Sequence, residues 1–162
     1  MAETNPTLVT IYEGWEVYQG HLLTAVRPLT ADQLNLRAAP ELRTIYSLLT
    51  HLIAVRVRWF HNAAGAGSPD VAPIGEWGRP GQPIKTTAEL VTGLETSWRL
   101  IKDAVTTWTP DDLQVPFTMK RGGEEETTTR QWIVWHVIEH DLHHGGELSF
   151  SLGMHGIHAI DL

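Results

Sequence analysis

Four stretches of this 162-residue chain carry apolar residues at intervals of three and four, and residues that break helices separate them. This interval matches the turn of an α-helix and gives each stretch one apolar face. The stretches run over residues 7–27, 44–62, 87–108 and 130–152. Amphipathic helices of this length bury their apolar faces by packing against one another, so the pattern predicts an all-α four-helix bundle.

The segments between these stretches contain several local signals. Residues 63–85 are dense in Gly and Pro, which predicts a long loop that is either a lid or binding segment or a plain surface excursion. The Gly-Gly of "VPFTMKRGGEEETTT" predicts a small hairpin. Capping boxes are predicted where Thr precedes Gln or Glu by three positions, at Thr30–Gln33, Thr86–Glu89 and Thr128–Gln131.

Composition excludes several classes of protein. The formal net charge is -7 and no Lys/Arg-rich run occurs, which argues against a nucleic-acid partner. No apolar segment approaches the roughly 20 residues needed to cross a bilayer, and "MAETNPTLVTIY" does not resemble a signal peptide. We therefore expect a single domain over residues 1–162, in the cytoplasm, without a membrane partner. The absence of cysteine excludes disulfides and thiolate metal ligands.

The stretch "HVIEHDLHHGGE", residues 136–147, holds four of the nine histidines. At about 100° per residue, His136, His140 and His144 fall within an arc of about 80° on one helix face. Glu147 lies about 20° from His140, whereas His143 points about 60° to the other side, toward solvent. Imidazoles four residues apart can bind one divalent ion, and the spacing alone leaves the pairs His140–His144 and His136–His140 both open.

A third ligand has to come from another helix, and His51 is the candidate. It lies beside the apolar face formed by Leu48, Leu52 and Val55. A lone histidine in such a place is more often a hydrogen-bonded packing residue. Combined with an inward pair on the fourth helix, however, it favours a three-histidine site for one divalent transition metal with an open position. Zinc, nickel, copper, iron and cobalt all accept imidazoles, and we expect zinc or nickel.

Two segments also resemble a known family. "LLTHLIAVRVRWF" and "WIVWHVIEHDLHHGGELSFSLGMHG" are similar to the second- and fourth-helix signatures of the DinB/YfiT-like superfamily. The order of elements agrees over nearly the whole chain: helix, helix with His, long loop, helix, helix with His-x-x-x-His. The resemblance implies an up-down-down-up four-helix bundle, often a homodimer, whose metal ligands would be His51, His140 and His144.

The resemblance also implies a set of activities. The superfamily includes S-transferases that use the low-molecular-weight thiols bacillithiol or mycothiol, a mycothiol-dependent maleylpyruvate isomerase, and proteins regarded as metal-dependent hydrolases. It therefore suggests an enzyme that activates a thiol cosubstrate or water for transfer to a small electrophilic substrate. The alternative is a non-catalytic stress-response protein that binds metal, or a bundle that binds a small ligand. A fourth side chain on the metal would favour that alternative.

Further residues are candidates for the surroundings of the metal. Glu147 is a candidate general base or an acceptor for an imidazole N–H. His136 is expected to line the pocket rather than bind the metal, because a fourth protein ligand would close the open position. Arg58, on the histidine-bearing side of its helix, could bind an anionic substrate or form an interhelical ion pair. His21 could line the pocket, and Trp77 in the Gly/Pro-rich loop could cover a pocket or an interface.

Overall fold

A computed structural model of the protein describes residues 6–162, and that part of the chain is mostly helical. The sequence prediction that the first residues form no signal peptide lies partly outside this range. The elements in chain order are α1 (Pro6–Val26), α2 (Ile45–Val57), α3 (Thr87–Thr107), α4 (Pro110–Gln114), β1 (Pro116–Arg121), β2 (Glu124–Thr129) and α5 (Arg130–Met154). The four long helices lie within the predicted stretches to within a few residues. Within the described residues, no helix is both long enough and apolar enough to cross a membrane.

Helix α2 lies at the centre of the helical packing. It contacts both α3 and α5, and α1 packs on α3. The predicted apolar face of α2 was too narrow, because Leu49, Ile53 and Ala54 are also fully buried. A helix with apolar residues on all sides is typically buried among neighbouring elements, as α2 is. A segment of π-helix, Arg58–Ala63, continues α2 to the end of the predicted stretch.

Helix α1 departs from its predicted face at one position. Ile11 is one of the apolar residues whose spacing over residues 7–27 predicts the buried face, yet it is 47% exposed. Leu8 and Tyr12 pack against the core instead, together with the buried Trp15. Ile11 is turned about 100° from Tyr12, which places it outside that contact.

Two of the three predicted capping boxes form. Thr30 and Gln33 exchange hydrogen bonds of 2.9 and 3.3 Å, and Thr86 and Glu89 do the same at the start of α3. A further box, Thr109 with Asp112, begins the short helix α4, which the sequence analysis did not predict.

The third predicted box is wrong by one residue. Thr128 is still part of β2, where it pairs with Phe117 of β1. The N-cap of α5 is therefore Thr129, whose hydroxyl accepts a hydrogen bond from the Trp132 amide. Gln131 accepts a hydrogen bond from Gln114 instead. The hairpin itself was predicted, and Gly122 and Gly123 at its turn adopt positive φ angles of 62° and 92°.

The Gly/Pro-rich loop over 63–85 is more structured than predicted. Pro69–Glu76 forms a 3-10 helix that packs against α2. The ring of Trp77 lies against Gly93 of α3, where a Cβ atom would come within 2.5 Å of Trp77 Cζ3. The missing side chain at Gly93 therefore makes room for the indole and attaches the loop to the helices.

Candidate metal centre

Three imidazoles from two helices converge beside α2. His51 comes from α2, and His140 and His144 come from successive turns of α5. One ring nitrogen of each lies within 4.8 Å of the others. The Nε2 atoms of His51 and His140 are 3.1 Å apart. Two nitrogens bound to one tetrahedral ion at about 2.0–2.1 Å would lie about 3.3 Å apart, so this spacing fits a shared metal ion.

The electrostatics of the cluster favour neutral imidazoles. Burial, reinforced by neighbouring positive groups, lowers the pKa of His51 to about 4 and that of His140 to about 3. Burial also lowers the pKa of His144, although the contact with Glu147 opposes that shift. The neutral form is the one that binds metal, because protons compete for the same lone pair. The cluster is therefore held in its ligating form at neutral pH.

His140 has a buried polar atom without a protein partner. Its Nδ1 is buried and forms no hydrogen bond within the described structure, and its Nε2 faces only the imidazole of His51. Such an unpaired atom is costly and calls for an explanation. An ion bound to this ring would satisfy one of its two nitrogens, so that only the other would need a hydrogen-bond partner. The donor set as a whole, three imidazoles without thiolate or carboxylate, suits zinc, nickel or a similar transition metal.

Glu147 contacts His144 rather than the centre of the cluster. Its Oε2 lies 2.5 Å from His144 Nδ1. A carboxylate at this nitrogen fixes the orientation of the ring and leaves Nε2 free for an ion. His143, His144 and Glu147 form a second group of close donor atoms. That group shares His144 with the first, and its His143 side chain is 65% exposed, as the helix geometry predicted.

His136 lies outside the three-histidine cluster. Its ring stacks on Trp132 at 4.7 Å and meets the edge of Trp59 at 5.0 Å. The ring centroids of His136 and His140 are 6.0 Å apart, compared with 4.3 Å for His140 and His144. Of the two pairs that the spacing left open, the structure therefore brings His140 and His144 together with His51.

A cavity of about 290 Å³ adjoins the cluster, with His51 in its wall. Arg58 and Trp77 line it as well, whereas His21 is a partly buried residue of α1 outside this lining. Within residues 6–162, Arg58 does not form the interhelical ion pair that the sequence suggested. Its Nε donates a 2.6 Å hydrogen bond to the carbonyl of Gly75 in the loop over 63–85.

A second cavity, of about 330 Å³, lies between α1 and α3, with Tyr12, Trp98 and Trp108 in its wall. None of the three clustered histidines lines it. The smaller cavity is therefore the one placed to serve the cluster.

A buried ion pair next to the cluster escaped the sequence analysis. Arg56 of α2 and Asp141 of α5 are essentially inaccessible to solvent and approach within 2.8 Å. Trp15 of α1 donates to the same carboxylate, and Gln19 of α1 accepts from the guanidinium. A single arginine within the apolar run "LLTHLIAVRV" was the available signal, since an unpaired charge does not stay in such an environment.

The fold and the site define a mostly helical protein in which two neighbouring helices share a cluster of three neutral histidines. The family model of the DinB superfamily matches residues 15–148, and the chain belongs to that superfamily. The fold is similar to that of a DinB-like protein from Bacillus cereus ATCC 10987, with a TM-score of 0.71 and 14% identity over 93% of this chain and 94% of that one. No significant match was found among curated proteins.

Proposed function

We propose that the protein is a divalent-metal-dependent enzyme that activates a thiol cosubstrate or water for transfer to a small electrophilic substrate. His51, His140 and His144 would hold one transition-metal ion, with zinc or nickel expected. The observation that carries the proposal is the convergence of one nitrogen from each ring within 4.8 Å. A bound ion of this kind supplies Lewis acidity, which lowers the pKa of a thiol or water at its open position. Since the chain has no cysteine, a sulfur nucleophile would have to come from a low-molecular-weight thiol.

The side chains around the cluster would orient the histidines rather than react themselves. Glu147 would hold the proton on His144 Nδ1 and so leave Nε2 available to the ion. This contact favours a positioning role for Glu147 over that of general base. The rings of Trp59 and Trp132 hold His136 away from the cluster.

These contacts weigh against the non-catalytic alternative, a stress-response protein that only binds metal or a bundle that only binds a small ligand. That alternative would gain support if a fourth side chain filled the open position. Glu147 and His136 were the candidates, and both have partners elsewhere. Three protein ligands with an open position are the usual arrangement of a catalytic site.

Further parts of the proposal rest on the sequence and on the family. They are an up-down-down-up four-helix bundle in one domain, a homodimer, and a cytoplasmic location. The partner would be a small-molecule substrate, with neither nucleic acid nor membrane involved. Size-exclusion chromatography with light scattering tests the dimer directly.

The experiment that tests the metal centre is elemental analysis of protein purified without a histidine tag. We expect one transition-metal ion per chain in the wild type and in His143→Ala, because His143 is exposed and outside the cluster. We expect His51→Ala to lose the ion. Equal metal content in the two variants, or none in the wild type after metal loading, would contradict the proposal. If the wild type binds the ion as expected, a screen of the metal-loaded protein for thiol conjugation and for hydrolysis would distinguish a thiol transferase from a hydrolase.

A further inference from the structure

Three arginines from separate segments line the cavity beside the histidine cluster. Arg43 precedes α2, Arg58 follows it, and Arg79 belongs to the loop over 63–85. No acidic residue lines this cavity. The chain as a whole carries a net charge of -7 with only 12 Lys and Arg residues, so this local excess of positive charge runs against its composition.

These arginines are only partly neutralised. Arg79 pairs with Glu76 at 2.6 Å. Arg58 Nε donates a hydrogen bond to the carbonyl of Gly75, and Arg58 forms no ion pair within the described structure. Arg43 is exposed, and no described residue forms a hydrogen bond or an ion pair with it. Three guanidinium groups and one carboxylate leave two positive charges facing the cavity.

The positive charge has a cost that a purely structural role does not explain. Burial, together with the like charge of Arg79, lowers the pKa of Arg58. Like charges held close together at a cavity are typical of functional sites. A ligand of opposite charge would relieve the repulsion among them.

The position of the cavity connects it to the proposed reaction. His51 belongs both to the cavity wall and to the histidine cluster. A volume of about 290 Å³ lies at the lower end of the roughly 300–1,000 Å³ typical of small-molecule sites. The hydroxyl-bearing residues Ser47 and Thr50 also line it. A small molecule held there would lie against His51, one of the three clustered histidines, and against the three arginines of the cavity wall.

We propose that the substrate handled at the metal centre is a small organic anion, and that Arg43 and Arg58 bind its oxyanion group. This inference rests on the proposed function, since it names the substrate class of the same site. Guanidinium groups bind carboxylate and phosphate oxygens through paired, charge-assisted hydrogen bonds. A carboxylate and a phosphate share this chemistry, and the experiment distinguishes them.

Calorimetric titration at low ionic strength and pH 7.5 tests the anion site, with succinate and inorganic phosphate as probes. Succinamide serves as the uncharged counterpart of succinate. We expect saturable binding of at least one anion in the millimolar range, no binding of succinamide, and weaker binding as salt is added. The stronger of the two anions identifies the oxyanion group. Equal binding of succinamide and succinate, or no saturable binding of either anion, would overturn the proposal.

Matched variants identify the residues involved. Arg43→Gln should weaken anion binding by about tenfold, because it removes a charge-assisted contact. Arg99→Gln removes one charge from an exposed residue of α3 outside the cavity lining and should change the affinity less than about twofold. Both arginines are exposed, so both variants should keep the wild-type melting temperature. Equal effects of the two substitutions would refute the assignment.

The same preparations separate this proposal from the metal proposal. Elemental analysis should find the wild-type metal content in Arg43→Gln. If anion binding depends on Arg43 while the wild type retains no metal, the anion site stands and the metal proposal fails. If metal content depends on His51 while Arg43→Gln binds anions as the wild type does, the metal proposal stands and the anion site is refuted.

Discussion

Replacing Asp141 with asparagine should destabilise the protein by about 3–5 kcal/mol, the usual cost of breaking a buried ion pair. The Asp141 carboxylate accepts hydrogen bonds from Arg56 Nε at 3.0 Å, Arg56 Nη2 at 2.8 Å and Trp15 Nε1 at 2.8 Å. An asparagine offers one oxygen, and its NH2 group would face donors. With its oxygen in the Oδ2 position, the asparagine loses the Oδ1 contact with Arg56 Nε, at roughly 1.5–3 kcal/mol, and weakens the other two. The Arg56 charge then stays buried without a counter-charge, which raises the cost to a similar magnitude.

An exposed ion pair provides the matched control. Arg27 and Glu95 also approach within 2.8 Å, but their side chains are 59% and 41% exposed, compared with 0% and 1% for Arg56 and Asp141. Glu95→Gln should therefore cost less than about 1 kcal/mol. The two substitutions make the same chemical change at the same closest separation. The two pairs differ in burial and in the number of hydrogen bonds, since in the described structure Asp141 accepts from three N–H groups and Glu95 from one.

Urea denaturation followed by circular dichroism measures both effects. We expect a lower midpoint for Asp141→Asn with an unchanged slope, because the surface exposed on unfolding stays the same. Replacing both partners, with Arg56→Met and Asp141→Leu, should recover much of the loss. If Asp141→Asn costs no more than Glu95→Gln, or if the double replacement is no better than Asp141→Asn, the account of a buried, mutually dependent pair is wrong.

The remaining predictions concern α5 and the histidine cluster. A Cβ at Gly145 would come within 1.9 Å of the Tyr18 hydroxyl, whereas one at Gly146 would meet nothing within 4 Å. In urea, Gly145→Ala should therefore destabilise by about 1–3 kcal/mol and Gly146→Ala should stabilise by about 0.5–1 kcal/mol; effects of the same sign would contradict this packing. The metal-free protein should lose stability as pH falls from about 6.5 toward 4, because the unfolded imidazoles take up protons while His51 and His140, with pKa values of about 4 and 3, stay neutral. The slope should stay below about 1.4 kcal/mol per pH unit for each ring, since both are partly exposed, and the double variant His51→Ala/His140→Ala should flatten it; an equal slope in wild type and variant would refute the assignment.

Features that depend on neighbours in sequence could be predicted from the chain. The Thr86–Glu89 capping box joins residues three positions apart, and the Gly122–Gly123 turn is decided by glycine's tolerance of positive φ. The capping box predicted at Thr128 was wrong because a contact with a residue distant in sequence decided the structure there. Thr128 pairs with Phe117 across the hairpin, so α5 begins one residue later. The spacing of capping residues alone does not show whether a residue caps a helix or belongs to a strand.

The histidine cluster joins residues 89 positions apart, yet the helix faces already indicated His51 and one of two histidine pairs on α5. The choice of His140 and His144 came from the resemblance to the DinB/YfiT-like superfamily. Each helix has a definite face, and a histidine on an apolar face points toward whatever packs there. The cavity arginines could not be found in this way. Arg43 and Arg79 lie outside the long helices, so no period indicates their direction, and only the folded loop over 63–85 brings them to one cavity.

The buried Arg56–Asp141 ion pair affects the geometry of the histidine cluster, because it joins the same two helices. Arg56 follows His51 by five positions, so the two side chains leave α2 about 140° apart. Asp141 directly follows His140 on α5, which makes the Arg56–Asp141 contact a second attachment between the same two helices. An imidazole nitrogen lies roughly 6 Å from its helix axis, so a rotation of about 5° would move it by about 0.5 Å. Metal sites tolerate only about 0.2 Å in ligand distance. Since Trp15 and Gln19 of α1 hold the same pair from a third direction, the rotation of α5 against α2 is restrained before any ion binds. The buried ion pair would therefore position the cluster through the helices, without contacting an ion bound there.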